Sequence, residues 1–173
     1  LCRRVEVVVD VLLVGEHPGT VPVLALLAAA AQARDGPDAA GVATGAAGVA
    51  VAGQAGRGAE VVGAGAAGGV LREFFLGAGG GTVLDLLNYP LFPNSPNGSS
   101  VLTSFQGPTN FASGSFGTRV RGYIVPPQTG AYTFTVTSDD ASAVYLSLNA
   151  DPRYKQVICS VPGSTNVTEF TKY

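Results

Sequence analysis

Asp139 and Asp140 are the residues of this chain whose type and spacing best suit chemistry. Two adjacent carboxylates repel each other, and a hard divalent cation offsets that repulsion. Ca2+ is the natural choice, since it takes about six to eight oxygen ligands and tolerates irregular loop geometry. Asn110 and Asn149 are further amide oxygens that such a cation could recruit. A plainer reading stands beside this one. Ser138-Asp139-Asp140 could simply cap a turn, its side-chain oxygens bonding backbone N–H groups two or three residues on.

Positioning the pair falls to the stretch from Gly122 to Leu148, which reads as three alternating strands with the two Asp residues between the last two. In Ala131–Thr137, Tyr132, Phe134 and Val136 fall on one face and Thr133, Thr135 and Thr137 on the other, the period-two pattern of a half-buried strand. Pro126 and Pro127 cannot continue a central ladder, and Gly130 accepts a positive φ. PPQTG is therefore expected to fold Arg119–Val125 back onto Tyr132–Thr137 as a hairpin. From Leu71 onward, short strands alternate with turn clusters at Pro90, Pro93-Asn-Ser-Pro96, Asn97-Gly98, Gly107-Pro108, Gly114 and Gly117. That spacing predicts an all-β fold, an antiparallel barrel or sandwich.

Other chemistry finds less support. Cys2 and Cys159 are the only cysteines, too few for a disulfide framework or a four-ligand zinc site. Cys159 continues a Val157, Cys159, Val161 face and reads as a small core residue. The single His17 has no partner in any catalytic pattern, and no Ser sits in a nucleophile elbow. Glu73 and Asp85 are candidates for an acid/base pair, but both are expected at element edges, where carboxylates are ordinarily solvated. Gly63-Ala-Gly65-Ala-Ala-Gly68, with Asp85 downstream, matches a dinucleotide-binding fingerprint, which needs a strand entering and a helix leaving. A Gly/Ala-rich tract generates that pattern easily. Gly77–Gly81 lacks the Lys-Ser/Thr of a phosphate loop and reads as a turn. Catalysis is not expected in this piece, although a longer parent chain could carry a catalytic domain elsewhere. Asn97-Gly-Ser99 and Asn166-Val-Thr168 are acceptor sequons for N-glycosylation, the first in an exposed turn.

Composition divides the chain near Val70. All aromatic residues lie from Phe74 onward, whereas residues 1–70 are dominated by Ala, Gly and Val. The expected organisation is a largely disordered N-terminal segment, 1–70, followed by a β module over 71–173. Within the first part, Val5–Val14 is a strand or a buried turn of helix that periodicity cannot decide, and Val23–Arg34 is expected as a helix. Val21–Ala31 followed by Ala31-Gln32-Ala33 is similar to a signal-peptide core and cleavage site, without the usual basic flank. No apolar run reaches the roughly 18 residues of a spanning helix. A net charge of −2 argues against a nucleic-acid partner or an anionic membrane surface. The chain begins at Leu1 and holds no Met, and it reads as a piece of something longer.

The stretch beginning Leu71-Arg72-Glu73-Phe74-Phe75 resembles the PA-14 domain. Shared features run in order through the FPNSP turn at Phe92–Pro96, VLTSF at Val101–Phe105, PTN at Pro108–Asn110, RVRGYIVPPQTGAYTF at Arg119–Phe134, SDD at Ser138–Asp140 and the tail VICSVPGSTNVTEFTKY. The variant is most similar to that of fibrocystin-like and algal cell-surface proteins. This chain lacks the Trp residues that members carry at the opening and near Phe170. The family's module also continues for several strands past the position of Tyr173, so the resemblance implies a module incomplete at its C-terminal end. It further implies a β-barrel acting in carbohydrate recognition or adhesion at the cell surface or in the extracellular space, with glycans or surface and matrix proteins as partners. In some adhesin members the pair matching Asp139 and Asp140, joined by a cis peptide, holds calcium that in turn coordinates sugar hydroxyls. The alternative within the family is a structural module that spaces or assembles neighbouring domains.

Overall fold

The computed structural model describes residues 7–15, 29–32, 60–62, 69–78, 80–107, 111, 114–125, 131–147, 149, 151–166 and 168–173. Nine strands account for most of them: β1 (Val7–Gly15), β2 (Ala29–Gln32), β3 (Glu60–Val62), β4 (Val70–Leu76), β5 (Gly98–Leu102), β6 (Phe116–Val125), β7 (Ala131–Phe134), β8 (Ser142–Ser147) and β9 (Gln156–Val161). One short helix, α1 (Val83–Leu87), and a single 3-10 turn at Pro152–Tyr154 complete the elements. The main sheet has seven strands in the order β5-β4-β6-β1-β8-β9, with β3 also on β6, and β2 pairs with β7 separately. Among the described residues every pairing is antiparallel and the main sheet does not close, so the expected all-β class appears here as an open, sandwich-like arrangement.

The middle of the sheet comes from the N-terminal part of the chain. β1 lies between β6 and β8, with Val11 opposite both Val120 and Val144. Where composition predicted a largely disordered segment before Val70, residues 7–15 form a strand with both faces covered, and Val9, Val11, Leu13 and Val14 are fully buried. A strand buried on both faces reads as a continuous apolar run, which is why VVVDVLLVG shows no alternation. Ala29–Gln32, inside the span expected as a helix, is strand β2, because the ladder of β7 offers hydrogen-bond partners that outweigh the modest helical preference of Ala.

The expected hairpin between β6 and β7 does not form. One edge of β6 is taken by β1 and the other by β4 and β3, so β7 pairs with β2. Phe134 and Val136 instead pack on one face of the main sheet, against a cluster built by Val9, Val11 and Leu13 from β1, Val120 and Ile124 from β6, and Val144 and Leu146 from β8. Phe105 and Phe111 close the same cluster from the loop after β5. Each large apolar side chain buried this way contributes roughly 1.5–3 kcal/mol.

The opposite face carries α1 and a charged stripe. Thr82 caps the helix in a reciprocal box: its hydroxyl accepts from Asp85 N–H, while its own N–H donates to the Asp85 carboxylate at 3.0 Å. Leu86 then packs with Leu12, Val14, Phe75, Ala78 and Ala141. Gly117 permits this docking, since a Cβ there would overlap the Leu86 side chain. Farther along the same face, Asp10 is 2% exposed and accepts from Arg119 Nε at 3.1 Å through both oxygens, and Lys155 also reaches it. Glu73 pairs with Arg121 at 3.2 Å and lies 4.0 Å from Arg119.

Candidate functional site

The Asp pair lies at the rim of the sheet, in the connection between β7 and β8. Asp140 N–H donates to the Val14 carbonyl at 2.8 Å, and Val14 N–H donates to the Ala141 carbonyl at 3.1 Å, which extends the β1–β8 ladder to the pair itself. Ala141 is 2% exposed beneath it, packed with Leu86 and Val14. The side chains of Asp139 and Asp140 are half-buried, and the peptide bond joining them is cis.

Upstream of the pair the backbone is tied just as firmly. Ser138, 3% exposed, donates its N–H to Thr165 Oγ1 at 3.0 Å and accepts from Thr165 N–H at 2.8 Å. Its hydroxyl lies 2.7 Å from both the Asp140 carbonyl and the hydroxyl of fully buried Ser142. A hydroxyl has a single proton to give, so Ser142 donates to Ser138 and Ser138 donates to Asp140. The Asp139 carboxylate projects from this fixed frame and makes no hydrogen bond or ion pair among the described residues.

These groups suit a hard cation in type: one half-buried carboxylate without a hydrogen bond or ion pair among the described residues, and a second beside it. Among the described residues, no three His, Cys, Asp or Glu side chains come together as a metal cluster. Ca2+ here would take Asp139 and Asp140 and complete its shell with carbonyl, water or polyol oxygens. Asn149 does not join them. It follows the far end of β8, a six-residue strand spanning about 20 Å, and its Oδ1 accepts from Asp151 N–H at 2.9 Å. Asn110, His17 and Cys2 lie outside the described residues.

The remaining candidates separate in space. Glu73 is not a solvated edge carboxylate: it sits in mid-β4, 8% exposed and ion-paired, while Asp85 is occupied in the α1 capping box, so the two form no acid/base pair. The Gly63–Gly68 run lies outside the described residues. It is bracketed by β3 and β4, which pair with the same edge of β6, and a strand follows it where a dinucleotide site needs a helix. Cys159 is free, 3% exposed, and its thiol is pushed up to about 12 by burial. Val157 does not share its face. A bulge between Val144 and Tyr145 turns Val157 outward, where it is 54% exposed.

Both sequon asparagines are exposed. Asn97 Oδ1 accepts from Leu76 N–H at 2.7 Å, and Asn166 N–H donates to Glu169 at 3.1 Å. Two features escaped sequence reasoning. The Thr82–Asp85 spacing signalled α1, and the buried charges of Asp10 and Arg119 were hidden because strand register is not visible in a sequence. On the opposite face, burial lowers the Arg72 guanidinium to about 10, and it stacks 3.6 Å from the Phe111 ring centre, its Nε and Nη2 without a hydrogen-bond partner among the described residues.

Sequence comparison adds the deciding observation, because one family match covers the rim, α1 and the Asp pair together. Residues 78–149 match the PA14 domain. PA14 domains are modules of carbohydrate-binding and adhesion type, found generally in extracellular and cell-surface proteins. The matched stretch begins just after β4, runs through β8 and encloses Asp139 and Asp140. No curated protein and no solved structure matches the chain. Among the described residues, no helix is long and apolar enough to cross a membrane.

Proposed function

We propose that this chain carries an extracellular or cell-surface binding module that recognises carbohydrate or mediates adhesion, with Ca2+ held at Asp139-Asp140 and no catalytic role of its own. The observation that carries the reading is the PA14 match enclosing a carboxylate pair whose Asp139 makes no hydrogen bond or ion pair among the described residues. Bound Ca2+ would supply a Lewis-acidic point that vicinal sugar hydroxyls can complete. The chain's own part is to hold two carboxylates on a backbone fixed by Ser138, Thr165 and Val14, so that little ordering entropy is lost on binding. Its partners would be glycans, or the surface and matrix proteins that bear them. Asn97 and Asn166, both exposed, are proposed as glycan acceptors of a secreted protein.

A purely structural module is the second reading, and one contact favours it. The Ser138 hydroxyl bonds the Asp140 carbonyl, as it would if SDD served only to turn the chain into β8. Calorimetric titration with Ca2+ separates the two: saturable binding lost in Asp139→Asn/Asp140→Asn supports the first, and no binding in either protein leaves the second.

A further inference from the structure

Residues 162–166 leave β9 and return across the rim to reach Ser138, the residue immediately before the Asp pair. The contact is reciprocal. Thr165 N–H donates to the Ser138 carbonyl at 2.8 Å, and Ser138 N–H donates to Thr165 Oγ1 at 3.0 Å. Both main-chain groups of buried Ser138 are thus satisfied from one remote residue, 27 positions away in sequence. The same strap is held to the tail behind it, since Lys172 Nζ donates to the Ser164 carbonyl at 2.5 Å and Glu169 N–H donates to the Asn166 carbonyl at 3.0 Å.

Ser138 passes this constraint forward. Its carbonyl, held by Thr165, orients the peptide unit before Asp139, the Val14 carbonyl holds Asp140 N–H in the unit after it, and the Ser138 hydroxyl, itself held by Ser142, fixes the Asp140 carbonyl beyond. Thr165 bonds the backbone of Ser138, and so sets the chain from which both carboxylates project. We infer that Thr165 is a positioning residue for the Asp139-Asp140 site, and that the 162–166 strap and a cation at the pair are energetically coupled through Ser138.

This inference rests on the calcium reading above and gives that site a means of control. A ligand that needs both carboxylates in one orientation binds more weakly when the strap is loose, and by linkage its binding tightens the strap. One neutral hydrogen bond, net of solvent exchange, corresponds to about a three- to tenfold change in affinity. Thr165→Val removes the hydroxyl while keeping shape and backbone N–H, and Thr165→Ser restores the hydroxyl.

The test is Ca2+ titration of the full chain as wild type, T165V and T165S, with amide hydrogen exchange at Thr165 followed in the wild type with and without Ca2+. The expected result is weaker binding in T165V by about three- to tenfold, affinity within about twofold of wild type in T165S, and slower Thr165 exchange when Ca2+ is present. Wild-type affinity in T165V, or wild-type exchange at Thr165 unchanged by saturating Ca2+, overturns the coupling while leaving the calcium site standing. The exchange arm needs no variant and so decides the matter even if T165V fails to fold. Absence of Ca2+ binding in the wild type overturns the calcium reading and this inference together.

Discussion

Replacing Asp10 by Asn tests whether residues 7–15 are the central strand. Asp10 is 2% exposed and serves two cations: Arg119, whose side chain is 15% exposed, and Lys155, at 30%. The amide removes the charge and turns one acceptor into a donor facing other donors, leaving Arg119 with Glu73 at 4.0 Å as its remaining counter-charge. Breaking a fully buried pair from one side costs about 3–5 kcal/mol. Water reaches Lys155 and, less easily, Arg119, so the loss here should be smaller, about 2–3 kcal/mol. Urea denaturation of the full chain reads this as a midpoint lowered by about 1–2 M with an unchanged slope. The double mutant Asp10→Asn/Arg119→Met should lose less than the sum of the single losses, with a coupling of about 1 kcal/mol or more. A midpoint for Asp10→Asn indistinguishable from wild type would refute the reasoning, since Asp10 would then not lie between β6 and β8.

Two further outcomes follow from the core. The Cys159 thiol ionises near 9 when unfolded and is pushed up to about 12 by burial in the fold, so its contribution to stability is complete below pH 9 and falls as pH rises toward 12. Unfolding free energy should therefore decline by up to about 1.4 kcal/mol per pH unit above 9, a slope absent in Cys159→Ala; equal slopes measured by urea denaturation between pH 8 and 10 would contradict this. Gly117→Val places a side chain where Leu86 docks, and the overpacking should cost about 1–3 kcal/mol. Leu86→Ala in the same background should recover part of that loss, and additive losses in thermal denaturation would show that α1 does not rest on β6 there.

How much was legible in the sequence depended on which faces each segment buries. β8, the Asp pair and the turn-rich spacing after Leu71 announced themselves through alternation and punctuation, and the all-β class followed from them. β1 did not, because a strand covered on both sides has no alternation to read, and its Ala/Gly-rich surroundings suggested disorder. The alternation of Phe134 and Val136 marked a strand correctly but not its neighbour: β7 joins β2 because β6 already has partners on both edges, a fact of topology rather than of local pattern. At the site, the sequence offered the two carboxylates but not the residue that fixes their backbone. Thr165 reaches Ser138 from beyond β9, and nothing in its local context marks it. The bulge at Val144/Tyr145 is equally silent, and it sends Val157 to solvent while Cys159 stays inside.

The most direct test of the central claim is calorimetric titration of the full chain with Ca2+, beside Asp139→Asn/Asp140→Asn and with Mg2+ as the competing cation. Saturable Ca2+ binding that is abolished in the double mutant and much weaker for Mg2+, which demands near-ideal octahedral geometry, is the result expected of a cation-dependent binding module. Absence of binding in the wild type, or binding unchanged by the double substitution, would contradict it.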